Sequence, residues 1–521
     1  MPTLDADLIA GLRADLAAAD FTVDTVRGLW SDAAGGALSR SHRLPAQREL
    51  ASSRAAGEIA PAGTLAWAFV LGLAVGADEL DAALPTLGAD GAAALGLVEL
   101  RADDGLEPLV DLRPYAFTDA LGAAEWWVAS DLGELALGHA LGPEHVLGIG
   151  GASTTLSGLI VPRDVELALD LGTGCGIQAM HVSRHARRVI ATDISAPALA
   201  YAAFNAALNG IDNVEFRLGS LFEPVAGERF GHIVSNPPFV ITPRVDDVPE
   251  YEYRDGGFVG DELVQRVVEG IADHLEPGGV AQLLGNWEYR ADHDGLDRVR
   301  DWTGDLDLWA VERELQDAPR YAETWIRDGG TRPGDPEYDR WYAEWLADFA
   351  ARGVGYVGFG YLTLRRPEDE ASAPLTRIEQ VETSGSNPAG LGEHIGRALA
   401  VHDAIAGLED AELAELHLVV PRDVTEERHS WPGDENPTII TLHQGAGFGR
   451  ALQVDPALSG LVGACDGELT VGQISDAIAA LFEVDAAELR ADLLPRVREL
   501  VFTGFLDVAA PAAHTARLGQ D

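Results

Sequence analysis

A strand, a glycine turn and a helix in immediate succession constrain this chain more than any other feature. "VELALD" (165–170) is an apolar run closing on an acid, "GTGCG" follows it, and "IQAMHVSRHA" carries a helical pattern. Gly172, Gly174 and Gly176 leave out side chains where the backbone turns sharply and a ligand can approach the amino end of a helix. A dinucleotide fingerprint needs its third glycine where this chain has Ile177, which weakens a nicotinamide reading. A second apolar run, "RVIATD", ends on Asp193, about twenty residues past the turn, where a doubly wound fold places an acceptor for ribose hydroxyls. "DNVEFRLGS" and "GHIVSNPPF" continue the alternation of strand and helix. The expected fold is therefore α/β, a Rossmann-like, doubly wound and mainly parallel sheet, with a nucleoside-containing cofactor at its glycine turn.

The D-x-G-x-G-x-G turn, the acid closing the second strand and N-P-P-F closing the fourth together resemble class I methyltransferases that use S-adenosyl-L-methionine (SAM). Within that superfamily N-P-P-F resembles the enzymes that methylate amino and amide nitrogens, such as rRNA guanine-N2 and release-factor glutamine methyltransferases. The resemblance covers roughly residues 138–367. It implies SAM as cofactor, no metal, and a cofactor site at Asp170, Gly172, Thr173, Gly174, Gly176, Asp193, Ile194, Ser220 and Leu221. Many relatives carry an acid on the third strand for the adenine amino group; this chain has Gly219, Ser220 and Leu221 there, so Ser220 or a backbone carbonyl has to serve. The resemblance assigns the target nitrogen to the side-chain oxygen of Asn236 and the carbonyl of Pro237. Such a nitrogen is a poor nucleophile because its lone pair is delocalised, and two acceptors on its hydrogens hold it in line with the methyl group. Pro237 and Pro238 stiffen the loop, and Phe239 offers a planar face for stacking.

Charge separates the candidate acceptors. The chain has 84 acidic residues against 37 basic ones, every one of the latter an arginine, and a net charge of −47. Phosphate-dependent nucleic-acid binders show clustered cations, and the nearest cluster here, Arg184, His185, Arg187 and Arg188, reads as a solvated helix face. The acceptor stays open among RNA, protein, peptide and small molecule, with the acidity favouring the last three. The rival to an enzyme is a scaffold that keeps the SAM fold and works through its flanking modules. Cys175 and Cys465, the only cysteines, exclude a disulfide framework and fit a reducing, cytoplasmic compartment; Cys175 reads as a small buried residue. "GTLAWAFVLGLAVGA" (63–77) is too short for a membrane span and reads as a buried helix.

Around the sheet the chain divides into residues 1–115, an N-terminal helical module ending in a hairpin and winged-helix-like; a linker, 116–150; the SAM domain, 151–367; a second linker, 368–390; and an α+β winged-helix-like module, 391–521. Trp126 and Trp127 are expected to pack the first joint, and "GGASTTLSG" to floor the methionine end of the cofactor. The loop 240–262 has the composition of a substrate flap, with Tyr253 and Arg254 as candidate substrate contacts. Trp341, Tyr342, Trp345 and Phe349 stand at helical spacing and read as core.

Overall fold

The computed structural model describes residues 1–101, 105–138, 141–142, 144–245, 254, 256–369 and 372–509. They divide into two compact units, residues 1–368 with 376–380, and residues 369–375 with 381–521.

The first unit is built on one eight-stranded sheet. Its strands are β1 Val165–Leu171, β2 Ala186–Asp193, β3 Val214–Leu218, β4 Phe230–Ser235, β5 Leu275–Arg290, β6 Asp307–Asp317, β7 Val354–Arg365 and β8 Thr376–Gln380. They lie in the order β3-β2-β1-β4-β5-β7-β6-β8. Strands β3 to β5 pair in parallel throughout, β7 runs antiparallel to both β5 and β6, and β8 is parallel to β6. Order reverses where β1 lies between β2 and β4, the crevice in which open α/β sheets hold ligands. The central strands read as nearly unbroken apolar runs because both faces are covered. Leu169, Ile190 and Ile233 pack on one side with Val264, Val267 and Val268 of helix Glu262–His274. Ala168, Val189 and Val234 pack on the other with Ala179 and Val182.

Several expectations are corrected here. The helix after the turn stops at Val182, and β2 begins at Ala186, so Arg184, His185, Arg187 and Arg188 do not form one helix face. Arg184 pairs with Asp119, Arg187 with Glu166 and Arg188 with Glu215, leaving no basic stripe at this place. Thr376–Gln380, inside the span expected as a linker, is the sheet's edge strand, and Trp309 Nε1 on β6 donates to Glu379 on it at 2.7 Å. Residues 116–150 are likewise not all linker, because a long hairpin pairs Val110–Asp119 with Gly122–Asp131.

Before that hairpin come short helices and a three-stranded antiparallel sheet of Val75–Gly76, Val98–Leu100 and Gly105–Pro108. This N-terminal part shares a core with the helices that cover the large sheet, as Leu12, Phe21, Trp67 and Trp126 cluster with Met180, Tyr201 and Phe204. Two asparagines one turn apart, Asn205 on helix Ala196–Leu208 and Asn209 at its carboxyl-terminal cap, take the place of a neighbouring strand. Asn205 receives the Ala129 amide at 2.8 Å and donates to its carbonyl at 2.9 Å, while Asn209 does the same for Trp127 at 3.0 and 2.8 Å. Trp126 and Trp127 pack this joint, the former 5.0 Å from the His181 ring and the latter donating to the Phe21 carbonyl. Residues 61–70 are a short buried helix, and no helix among the described residues is long and apolar enough to cross a membrane. Trp345 and Phe349 are core, with Trp341 and Tyr342 packed partly against them.

The second unit holds two three-stranded sheets and five helices among its described residues. "DGELT" is a strand leading directly into helix Val471–Phe482, which opens on a reciprocal cap between Thr470 and Gln473. Helix Ala486–Thr503 follows, capped by Asp485 and closed by Gly504 in the left-handed region.

Candidate active site

A cleft of about 440 Å³ opens over the carboxyl ends of β1 to β4. At β1 the turn is held from behind. Asp170 is fully buried; one of its oxygens accepts the Thr173 hydroxyl at 2.6 Å and the Ala179 amide at 2.8 Å, and the other meets no hydrogen-bond partner among the described residues. Burial pushes its carboxyl up to about 7. It braces the turn and does not line the cleft, which begins at Leu171; the expected cofactor contact at Asp170 becomes a supporting one. Gly172 and Gly174 have φ of +76° and +54°, and a Cβ on either would enter open space, so the turn presents bare backbone to a ligand. Gly176 is needed for a different reason: a Cβ there would come within 2.9 Å of Ala202, on the helix that crosses behind it. Cys175 lines the cleft, but burial pushes its thiol up to about 11, which makes it a poor nucleophile.

At the end of β2, Asp193 accepts the Gly174 amide at 2.9 Å and the Ser195 amide at 2.9 Å, one on each oxygen. Each oxygen keeps a lone pair for a hydroxyl in the cleft. Ile194, half exposed, and Ser195 line the same wall. Gly219, Ser220 and Leu221 line the end of β3, with Leu221 at φ +47°, an unfavourable conformation for a branched side chain.

β4 is buried along its whole length and ends at Ser235, whose hydroxyl donates to the Leu171 carbonyl at 2.8 Å and ties the ends of β4 and β1 together. Asn236, Pro237 and Pro238 then line the cleft. The side-chain oxygen of Asn236 is buried and has no partner among the described residues. A buried acceptor left open costs stability, so it marks a place where a donor is expected. Phe239 departs from expectation: it is not in the cleft lining and packs at 5.4 Å from Phe359 and 6.5 Å from Trp325. Beyond it the loop is pinned from the core. The Ile241 amide and the Asn286 side chain both donate to the Tyr321 hydroxyl, at 3.0 and 2.6 Å.

Arg254 is buried, donating to the Trp325 carbonyl at 2.8 Å with its guanidinium 3.8 Å from Asp328 and stacked over the Trp325 ring. It holds the loop, and the expected substrate contact is corrected; Tyr253 lies outside the described residues. The sequence reading missed Gln178, His145 and the apolar wall of Phe258, Leu263 and Val267. Leu263 and Val267 stand four residues apart on helix Glu262–His274, a spacing that in sequence marks no more than the buried side of a helix. "GGAS" does reach the cleft, as Gly150 to Ser153 at the start of helix Gly151–Leu159. The segment before it is held by the N-terminal hairpin: Asp131 accepts the Val146 amide at 2.8 Å and the Tyr201 hydroxyl at 2.7 Å. Among the described lining residues the charged ones are Glu144, Asp193 and Asp328, with no arginine, and burial lowers the affinity of His145 for a proton.

Comparison with known proteins agrees with this geometry. Residues 151–298 match the model of a methyltransferase small domain, while residues 18–109 and 405–508 each match a domain of unknown function (DUF7059 and DUF7782). A release factor glutamine methyltransferase of Xylella fastidiosa is 38% identical over 131 residues, 23% of this chain and 47% of that protein. A ribosomal protein uL3 glutamine methyltransferase of Bradyrhizobium diazoefficiens is 36% identical over 128 residues, 23% of this chain and 40% of its own length. A release factor glutamine methyltransferase of Koribacter versatilis is 34% identical over 173 residues, 31% of this chain and 59% of that one. The chain thus spans about half the length of the curated relatives it matches. The central domain is a methyltransferase domain of the SAM-dependent kind. The cleft fits that cofactor in its bare glycine turn, its doubly anchored Asp193 and its size.

Proposed function

We propose that this chain transfers the methyl group of SAM to the side-chain amide nitrogen of a glutamine in a protein acceptor. The observation that carries the reading is the open side-chain oxygen of Asn236, buried on the cleft wall between the end of β4 and two prolines. When bound, SAM supplies an electrophilic methyl group. Asn236 and the Pro237 carbonyl accept the two N–H bonds of the amide, which turns its lone pair out of conjugation and toward the cofactor end of the cleft. The prolines fix the spacing of those two acceptors before the substrate arrives. The same pair strengthens its hold as positive charge grows on nitrogen, and the surplus proton then passes to water.

Two further observations support a protein over RNA as acceptor. The relatives that match the central domain are named as glutamine methyltransferases of a release factor or a ribosomal protein. No arginine stands among the described cleft-lining residues, so a phosphate backbone would meet Glu144 and Asp328 without a counter-charge. Both free cysteines suit a reducing, cytoplasmic setting. The end modules are read as winged-helix-like, and the hairpin that leaves the N-terminal one braces the cleft through Asp131.

Incubation with radiolabelled SAM and fractionated cell extract tests the proposal. Label that is destroyed by protease, resists nuclease and maps to a methylated glutamine supports it. Label confined to RNA would replace the acceptor, and label in no fraction would leave the scaffold reading in its place.

A further inference from the structure

Arg184, Arg187 and Arg188 are each matched by an acid, but the cations of residues 33–57 are not. That stretch carries Arg40, His42, Arg43, Arg48 and Arg54 against one acid, Glu49, where the chain's share of 84 acids in 521 residues would put about four. It holds most of helix Asp32–Leu38, a turn, and helix Leu44–Ala55. Glu49 is spent locally, accepting the Ser31 amide and hydroxyl at 2.7 Å each. Arg54 pairs with Glu79, and Arg43 turns inward to donate to the Leu71 carbonyl at 2.9 Å. Arg40, His42 and Arg48 are exposed, and none of them pairs with an acid among the described residues. Arg40 and His42 stand between the two helices, while Arg48 is one turn into the second, on the same side as the exposed Leu44.

Contacts lead from this patch to the mouth of the cleft. Leu71, which Arg43 holds, precedes Gly72, where a Cβ would come within 2.3 Å of Ala136. Ala136 shares a short helix with Glu134, and Glu134 is near enough to Asp328 on the cleft wall for their charges to repel. A molecule that spans both places meets acids at the cleft and unmatched cations beyond it. Such a field orients a partner whose own charges run the other way.

The scale of the patch decides which anion fits. A nucleic acid carries a charge on every nucleotide and would run from three cations onto the surface of a chain with net charge −47. Its bases also need faces to stack on, and residues 31–57 include no Phe, Tyr or Trp. A short acidic peptide segment, with an apolar side chain to cover Leu44, matches the patch in charge and in extent.

We infer that Arg40, His42 and Arg48 dock an acidic segment of the protein acceptor while its target glutamine enters the cleft. This rests on the protein-glutamine reading. It makes acceptor choice depend on two separate features of one protein: a glutamine without acids beside it, and a group of acids set apart from it.

Methyl transfer to the protein fraction that takes label from SAM tests this, comparing the whole chain with its Arg40→Glu, Arg48→Glu variant. Two reversed charges should raise KM for that fraction about tenfold and leave turnover at saturation and adenosylhomocysteine affinity within about twofold. Raising salt from about 50 to 300 mM should raise the KM of the wild type and not that of the variant. Dodecaglutamate should compete with the acceptor in the wild type alone, and dodecauridylate in neither. Arg40→Gln, Arg48→Gln adds no new charge and should shift KM in the same direction by less, which keeps the test open if the reversal unfolds the chain. An unchanged KM in a folded variant overturns the inference. Competition by the uridylate alone would give the patch to RNA, and a wild-type dimer that the reversal dissociates would give it to a second copy of the chain; either overturns it too. Calorimetry with dodecaglutamate needs no acceptor and separates the two readings. A chain that labels no protein yet binds dodecaglutamate through Arg40 and Arg48 loses the glutamine reading and keeps the patch, whereas one that labels protein and does not bind it loses the patch.

Discussion

The two ends of the cleft are built in opposite ways. At the cofactor end the backbone is tied to itself: Asp193 joins the Gly174 and Ser195 amides, Asp170 joins Thr173 and Ala179, and Ser235 joins β4 to β1. At the acceptor end the walls are pinned from outside by Tyr321, while Asn236 faces the cleft with its oxygen open. A ligand common to a whole class of enzymes can be met by a turn that is complete before binding. A substrate nitrogen that must be reshaped in the transition state is met by acceptors that stay open until it arrives.

Asn236→Ala should break the acceptor end alone. Turnover is expected to fall about a hundred- to a thousand-fold, the usual loss on removing one preorganised partner of the transition state, with SAM affinity and melting temperature nearly unchanged. Single-turnover methyl transfer at saturating SAM, beside calorimetry, measures this; a folded variant with normal turnover would move the target nitrogen elsewhere. Asp193→Ala should break the other end, weakening SAM and adenosylhomocysteine by about 1.5–3 kcal/mol per lost bond. Because the same carboxylate anchors two amides of the turn, some loss of stability should accompany it. Affinity equal to wild type would take the ribose away from this residue.

Asp170 sharpens the comparison through pH. Its folded carboxyl is raised from 3.8 to about 7, mainly by burial, so the folded state binds more protons than the unfolded state between those values. The stabilisation is complete below the lower value and is lost as pH rises through the upper one. Asp170→Asn does not titrate, so its stability should rise relative to wild type by at most about 2 kcal/mol from pH 5 to pH 7, at about 1.4 kcal/mol per unit. Denaturation of both proteins without ligand at several pH values measures the difference and cancels the other titrating groups. A gap that does not change with pH would mean that Asp170 stays ionised behind the turn.

The sheet was legible because parallel strands covered on both faces leave a plain signature, apolar runs ending in Asp170, Asp193 and Asn236, with glycines between the first run and its helix. Strand β8 was not, because "TRIEQ" is a half-exposed edge strand whose pairing with β6 depends on a return of the chain that no local pattern records. The long hairpin was lost for a related reason: "EWWVASD" pairs with "VDLRPYA", and it rests on Asn205 and Asn209, more than seventy residues away. Within the site, positions whose role follows from backbone shape were readable. Those whose role depends on where a side chain turns were not: Gln178 turns into the cleft, while Phe239 and Arg254 turn out of it.

Phe239 gives the smallest and most discriminating test. N-P-P-F places an aromatic ring two residues from the acceptor carbonyl, where it reads as a stacking face for the substrate. Its ring instead makes a tilted contact with Phe359 and an edge contact with Trp325, bridging the sheet core and the helices of the aromatic cluster. Phe239→Leu keeps most of that apolar volume and loses the ring contacts, each worth about 0.5–1.5 kcal/mol. Stability should therefore fall by about 1 kcal/mol while KM and turnover stay within twofold. A stacking face would behave in the reverse way, with KM rising about tenfold and stability unchanged, since base or amide stacking contributes only when substrate is bound. Steady-state kinetics on an identified acceptor, run beside thermal melting, separates the two, and a KM effect without a stability effect would return the ring to the acceptor end of the cleft.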